Sequence, residues 1–133
     1  MEYFTPSIED IRVGYECEMR QRNIWEFYRI QWNDCLSDFV DMDGIRVPYL
    51  TKEQIENEGW KFIHSSSWET GDLIGFEKDD WIISYNLKTK VMTISFKYAS
   101  AWNIEIYGPL IYSYRGPCKD INTFRQICKL YNI

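Results

Sequence analysis

The chain has 133 residues, of which 45% are hydrophobic and 17% aromatic, and its formal net charge at pH 7 is −5. A chain of this length is predicted to fold as one globular domain, residues 1–133, with enough aromatic rings to build a core without disulfides. The acidic balance argues against broad nucleic-acid binding, and no apolar run approaches the roughly 18 residues that a membrane span requires.

The first third of the chain predicts one short helical turn and two strands. Thr5 followed by Pro6 is typical of a helix start, with proline at the first helical position. Across residues 13–19 apolar and polar side chains alternate strictly, which indicates a half-buried strand. The aromatic-rich residues 24–32 favour a second strand that pairs with the first as a hairpin. Residues 33–40 are predicted to form a short helix, followed by a turn.

A short helix in the middle of the chain is specified at both ends. Thr51 suits the N-cap, and Gln54, three residues later, completes a capping box. Gly59 supplies the left-handed residue that ends a helix, and Trp60 is positioned to pack back onto Ile55. Both ends of this helix are therefore predicted from local side chains alone.

The second half of the chain is predicted to be mainly strand. Residues 60–63 leave the helix as a strand, and the serine-rich residues after them are predicted as a loop. Two β-rich runs, residues 81–85 and 91–96, are joined by a five-residue polar connection and indicate an antiparallel hairpin. In the second run Met92, Ile94 and Phe96 are predicted to face inward. Residues 104–107 and 110–115 are predicted as two further strands, interrupted at Gly108 and Pro109.

The chain is predicted to end in a helix for which Asp120 suits the N-cap. Ile121, Phe124, Ile127 and Leu130 lie on one stripe of that helix, which would pack onto the sheet. Together these elements predict an α+β fold: a mainly antiparallel sheet of about six strands, a short capped central helix, and a C-terminal helix packed on one face.

Candidate catalytic and metal-binding residues are few. His64 is the only histidine, and it lies in no nucleophile motif. The four cysteines are too dispersed for a zinc knuckle and are predicted to be free thiols. Glu16 and Glu18 share one strand face and could bind a divalent cation or divide acid and base roles, but a solvated strand face is the simpler interpretation. We therefore predict no enzymatic activity, no cofactor and no metal.

The aromatic excess is the feature that points to binding. Tyr, Trp and Arg dominate the hot spots of protein interfaces, and exposed rings can also stack on bases or sugars. The residues of this kind that fall in or beside predicted loops and edge strands are Trp68, Trp102, Tyr107, Tyr112, Tyr114 and Arg115. The alternative is that most of these rings belong to the core.

Three segments together resemble a known group of proteins. They are IEDIRVGYECE (residues 8–18), RVPYLTKEQIENEGW (residues 46–60) and INTFRQICKLYNI (residues 121–133). This set is similar to small uncharacterised proteins from bacteriophages of gut Bacteroidetes, including crAss-like phages. The resemblance implies a small protein made in the cytoplasm of an infected bacterium. Such accessory proteins block a host factor, sequester a defence signal or become part of the virus particle.

Four functions follow as hypotheses. The preferred one is a non-enzymatic module that binds a host protein through an aromatic-rich surface, for host takeover or anti-defence. The second is a protein that sequesters a nucleotide signal, with Arg115, Arg46 or Lys61 holding the ligand. The third is a minor virion component, and the last is a metal-dependent enzyme that uses Glu16 and Glu18. The opening residues contain no export signal, which predicts a cytoplasmic location; the oligomeric state stays open.

Overall fold

The computed structural model describes residues 2–34, 44–66, 72–96 and 112–133. The described residues form two antiparallel sheets, of four and five strands, and two α-helices. The predicted α+β class, mainly antiparallel sheet, is confirmed, while the described strands number nine instead of about six. The chain divides into a terminal unit (Met1–Tyr49 with Asp120–Ile133) and a central unit (Leu50–Lys119). The assignment of residues 1–133 to a single domain stays a prediction.

The terminal unit contains a four-stranded sheet in the spatial order β1-β4-β2-β3. Its strands are β1 (Tyr3–Phe4), β2 (Glu16–Gln21), β3 (Ile24–Arg29) and β4 (Ile45–Pro48). A 3-10 helix at Ile8–Asp10 replaces the helical turn predicted to start at Thr5. Ser7, and not Thr5, stands before this turn, and its hydroxyl donates to the Asp10 carboxylate at 2.8 Å.

The predicted hairpin of β2 and β3 is present. Its connection is the residue pair Arg22-Asn23, and both residues have positive φ, 53° and 66°. This is the signature of a type I′ turn, whose twist matches that of the paired strands. β2 starts later than the predicted residue 13, because Gly14 adopts a φ of +88° and turns the chain just before the strand. Val13 is consequently exposed and does not extend the apolar face of β2.

The terminal unit has its own hydrophobic core on one face of this sheet. The buried residues of this core are Ile11, Tyr15, Cys17, Ile30, Ile45 and Val47, with Phe4, Met19 and Tyr28 packed against them. Fully burying one large apolar side chain contributes about 1.5–3 kcal/mol. Because side chains alternate along a strand, β2 directs Cys17 and Met19 into this core, and Glu16 and Glu18 to the opposite, outer face.

The C-terminal helix α2 (Ile121–Leu130) begins where the sequence predicts. The Asp120 carboxylate accepts the Thr123 amide at 3.4 Å and thereby caps the first turn. The buried apolar residues of the helix are Ile121, Phe124 and Ile127. Leu130 was predicted to share this stripe, but it is exposed, because it stands in the last turn, beyond the part of the helix that is covered.

The central unit contains helix α1 (Lys52–Asn57) and a five-stranded sheet in which each strand pairs with the next along the chain. The strands are β5 (Lys61–Ser66), β6 (Leu73–Lys78), β7 (Trp81–Asn86), β8 (Val91–Phe96) and β9 (Tyr112–Pro117). β5 therefore continues through residues predicted as a loop, and β6 was not predicted at all. The strand predicted for residues 104–107 and most of the helix predicted for residues 33–40 lie outside the described residues. The described part of the strand predicted for residues 110–115 belongs to β9. No helix in the described ranges is long and apolar enough to cross a membrane.

Both ends of α1 are as predicted. The Thr51 hydroxyl accepts the Gln54 amide at 3.2 Å, and the Gln54 side chain accepts the Thr51 amide at 3.0 Å, which completes the capping box. Gly59 has a φ of +95°, the left-handed conformation that ends the helix. Ile55 and Trp60 are both buried.

The central unit has a buried face as well. Its buried residues on β6, β7 and β8 are Ile74, Phe76, Ile83, Tyr85, Met92 and Ile94. Tyr85 keeps its hydroxyl satisfied by donating to the Cys118 carbonyl at 2.8 Å. Phe96 was predicted to face inward, but it is exposed, because it lies at the margin of the sheet, where its ring packs on Trp81 at 4.7 Å.

Candidate functional site

The outer face of the four-stranded sheet is centred on a stacked arginine. The guanidinium of Arg46 lies 3.7 Å from the ring centroid of Tyr3 and 4.1 Å from that of Trp25. The same group donates from Nε at 3.0 Å and from Nη2 at 2.8 Å to Oε1 of Glu18. Each cation–π contact contributes about 0.5–1 kcal/mol or more, depending on desolvation. The guanidinium of Arg46 therefore occupies the space between the two rings, and its stacking fixes the position of Trp25.

Glu16 is the second ion-paired carboxylate of this sheet. Its Oε1 accepts Nη2 of Arg29 at 2.7 Å and Nη1 of Arg125 at 2.6 Å, and its side chain is only 11% exposed. Burial opposes ionisation, but the hydrogen bonds from Arg125 and Arg29 outweigh it and lower the pKa of Glu16. Glu16 and Glu18 are thus both neutralised by arginine, which favours a structural role for this pair. The described residues contain no group of three or more His, Cys, Asp or Glu side chains that could hold a metal ion.

β3 is an edge of the sheet, since among the described residues it pairs with β2 alone. The two-residue turn determines which backbone groups of β3 form hydrogen bonds with β2. Residues that flank such a turn, here Gln21 and Ile24, exchange both of their hydrogen bonds, and every second pair after them does the same. The pattern persists beyond the strand, where the Ile30 amide donates to the Tyr15 carbonyl at 2.9 Å.

The remaining residues of β3 direct their backbone N–H and C=O groups away from β2. They are Trp25, Phe27 and Arg29, which lie opposite Arg20, Glu18 and Glu16 in the register. Their side chains all point to the outer face of the sheet, because the residues opposite them do. The Arg29 carbonyl accepts Nε2 of Gln31 at 3.1 Å. The other outward groups of β3 have no strand partner among the described residues, and they form a row of donors and acceptors directly beside the rings of Trp25 and Phe27.

Two rings at and after β3 are displayed to solvent. Phe27 is 64% exposed, and Trp32, three residues after the strand, is 83% exposed. The turn that carries Trp32 is fixed by Asp34, whose carboxylate accepts the Gln31 amide at 2.6 Å and the Tyr28 hydroxyl at 2.7 and 2.8 Å. The hydrogen bond to Asp34 raises the pKa of Tyr28.

The predicted binding residues fall elsewhere in the chain. Trp68, Trp102 and Tyr107 lie outside the described residues, whereas Tyr112, Tyr114 and Arg115 belong to the edge strand β9 of the central unit. Tyr114 is half-buried and its hydroxyl donates to the Pro117 carbonyl at 2.8 Å, while Arg115 is exposed. The structure brings these three together on one strand, and their role in binding stays a prediction.

The basic residues proposed to hold a nucleotide do not form one group within a unit. Arg46 belongs to the terminal unit, and Lys61 and Arg115 belong to the central unit. Arg46 is also committed to Glu18 and to two rings. Phe27 and Trp32 are not among the predicted binding residues, because the aromatic run of residues 24–32 predicts a strand but not which of its faces is covered.

Comparisons with protein-family models, with curated proteins and with solved structures found no match.

Proposed function

We propose that this protein is a non-enzymatic interaction module whose terminal unit binds an extended strand of a partner protein along β3. The observation that supports the proposal is an edge that, within the described ranges, pairs with no further strand and places outward backbone groups beside an exposed phenylalanine, Phe27. Folded proteins usually protect such edges with proline, inward-pointing charge, a bulge or a covering segment, because unpaired strand groups recruit further strands. β3 instead exposes Ile24 and Phe27.

The chemistry of this edge fits one kind of occupant. An added strand would exchange hydrogen bonds with Trp25 and Phe27 and would accept from the Arg29 amide, because the Arg29 carbonyl already accepts Nε2 of Gln31 at 3.1 Å. These backbone hydrogen bonds supply affinity without regard to sequence. Its alternate side chains would lie on the outer face beside Phe27, where an apolar residue is preferred, and these would supply specificity. The floor of that face is already ordered, since Trp25 is stacked on Arg46. Ordering before binding lowers the entropic cost of association.

The resemblance of residues 8–18, 46–60 and 121–133 to bacteriophage proteins supports a setting for this activity. In that setting the chain is a phage accessory protein that binds a host protein in the bacterial cytoplasm, for host takeover or anti-defence. The engagement of both outer-face carboxylates, Glu16 and Glu18, by arginines is consistent with a binding role, because neither is free to act as a general base.

The test begins with two proline variants of neighbouring residues. Phe27→Pro removes an amide that points away from β2, so the hairpin should remain folded while strand addition is blocked. Glu26→Pro removes an amide that donates to β2 and should destabilise the hairpin itself. Phe96→Ser, at an exposed ring of the central unit, controls for the general loss of an aromatic surface.

The readout is direct binding to a purified partner. Affinity capture and crosslinking from a bacterial lysate would nominate the partner, and calorimetry with the purified pair would then measure its affinity. We expect Phe27→Pro and Phe27→Ser to weaken binding about tenfold or more, and Phe96→Ser to leave it unchanged. Hydrogen exchange should show new protection at the amides of Trp25, Phe27 and Arg29. Equal affinity of the Phe27 variants, or protection confined to other strands, would overturn the proposal.

A further inference from the structure

A second candidate site lies in the terminal unit, in a cleft of about 210 Å³. One wall is the segment that leads into β2, with Arg12, Val13 and Gly14. The other wall is one side of α2, from which Asn122, Arg125, Gln126 and Lys129 face the cleft. These four residues recur at the three- and four-residue spacing that places side chains on one face of a helix.

The charge of this cleft is opposite to that of the whole chain. Three lining residues, Arg12, Arg125 and Lys129, are cations and no lining residue is acidic, although the chain carries a net charge of −5. Arg125 is paired with Glu16. The side chains of Arg12 and Lys129 are exposed and, within the described part of the chain, make no hydrogen bond or ion pair. Two cations that lack an ion-pair partner among the described residues therefore face the same small volume.

The walls of the cleft are ordered independently of any occupant. The side-chain Oδ1 of Asn122 accepts the backbone N–H of Glu16 at 2.7 Å. Its Nδ2 donates to the Glu16 carbonyl at 2.8 Å and to the Asp120 carboxylate at 2.7 Å. Gly14 is held by its amide, which donates to the Ile30 carbonyl at 2.9 Å. A Cβ placed on Gly14 would meet no atom within 4 Å, so the cleft is open to solvent at this point.

We propose that this cleft binds a compact free anion that carries a phosphoryl or carboxylate group. Arg12 supplies a planar guanidinium, which matches such groups with two parallel hydrogen bonds, and Lys129 adds a point charge from the facing helix. Gln126, exposed on the same wall, supplies an uncharged donor. The exposed Val13 offers an apolar contact for the rest of the ligand. The volume lies below the ~300–1,000 Å³ of sites for drug-sized ligands, which favours a small metabolite over a dinucleotide.

The experiment titrates the intact protein with inorganic phosphate, pyrophosphate and succinate, each against sodium chloride at matched ionic strength. Amide chemical shifts of Gly14 and Gln126 report on the cleft, and those of Phe27 report on the β3 edge. We expect saturable shifts in the cleft with at least one of the three probes and none with chloride. The probe that gives the lowest Kd then distinguishes a phosphoryl group from a carboxylate.

Matched charge variants decide whether the cleft is responsible. Arg12→Gln with Lys129→Gln should raise the Kd about tenfold or more. Arg22→Gln with Lys88→Gln removes the same net charge from exposed turns and should leave the Kd unchanged. Phe27→Pro should also bind the anion normally, so failure here is distinguishable from failure of the strand-binding proposal. Shifts that do not saturate, or equal affinity of both double variants, would overturn the inference.

Discussion

Replacing Glu16 with glutamine tests how much its ion pairs with two arginines stabilise the terminal unit. The substitution keeps the shape of the side chain but removes the charge that Arg29 and Arg125 share at 2.7 and 2.6 Å. Exposed ion pairs contribute about 0.2–1 kcal/mol, and removing one partner of a fully buried pair costs about 3–5 kcal/mol. Because the carboxylate is nearly buried while both arginines remain roughly half exposed, we expect a loss of about 1.5 kcal/mol, or about 6 °C in Tm.

The loss should depend on pH in a defined direction. The pKa of Glu16 in the folded protein lies below its ordinary value of 4.5. A carboxylate with a lowered pKa stabilises the fold fully above the ordinary value, and this contribution is lost as the pH falls through the folded pKa. The Tm of Glu16→Gln should therefore lie below that of the wild type near neutral pH, and the difference should shrink as the pH falls below 4.5.

Thermal unfolding followed by circular dichroism across this pH range is the assay. Glu26→Gln is the matched control, because Glu26 is an exposed glutamate of the same sheet and makes no ion pair in the described part of the chain. The control should follow the wild type at every pH. A Glu16→Gln protein that melts with the wild type near neutral pH, or whose deficit does not shrink as the pH is lowered from 4.5, would refute the reasoning.

Three further predictions concern other parts of the fold. Thr51→Ala removes the capping box of α1 and should lower the free energy of unfolding by about 1 kcal/mol in urea; no change would mean that the cap is redundant. Asn122→Ala leaves the half-buried backbone N–H of Glu16 without its partner and should cost about 1–3 kcal/mol in the same assay, whereas a loss below that of Thr51→Ala would contradict this role. Among the described thiols, half-buried Cys128 should react with a labelling reagent before buried Cys17 and Cys118. Burial raises the pKa of Cys17 to about 11, so peptide mass spectrometry that finds Cys17 labelled first would contradict the burial.

Features that depend on local side chains were predictable from the sequence. The start of α1 needs only Thr51 and Gln54, three residues apart, and its end needs only Gly59. The cap at Asp120 and the hairpin of β7 and β8 rest on equally short stretches. In each case the atoms that make the contact belong to neighbouring residues, so no knowledge of the rest of the fold is required.

Features that depend on distant packing were not predictable. β6 was missed because its turn to β7, Asp79-Asp80, lacks the glycine or asparagine that signals a hairpin, although Asp79 adopts a φ of +53°. Leu130 fits the helical stripe, but its burial depends on how far the covering structure extends. The exposure of Phe27 depends on β3 being an edge, which the order of strands decides and periodicity does not. The cationic cleft joins the segment before β2 to the far end of the chain.

The substitution Glu16→Gln should lower the stability of the fold but raise the affinity of the cleft for an anion. The carboxylate of Glu16 holds Arg125, one of the three cations of the cleft, at 2.6 Å. Removing a unit charge about 6 Å from a bound anion changes the binding energy by roughly 0.7 kcal/mol at the dielectric constant of water, which is about threefold in Kd. Glu16→Gln should therefore bind phosphate or succinate about threefold more tightly, although it is less stable. Arg12→Gln with Lys129→Gln should bind more weakly with little loss of stability. If Glu16→Gln weakens anion binding instead, the ion pair with Glu16 is needed to hold Arg125 in position at the cleft. In that case losing this position weakens anion binding more than removing the negative charge of Glu16 strengthens it.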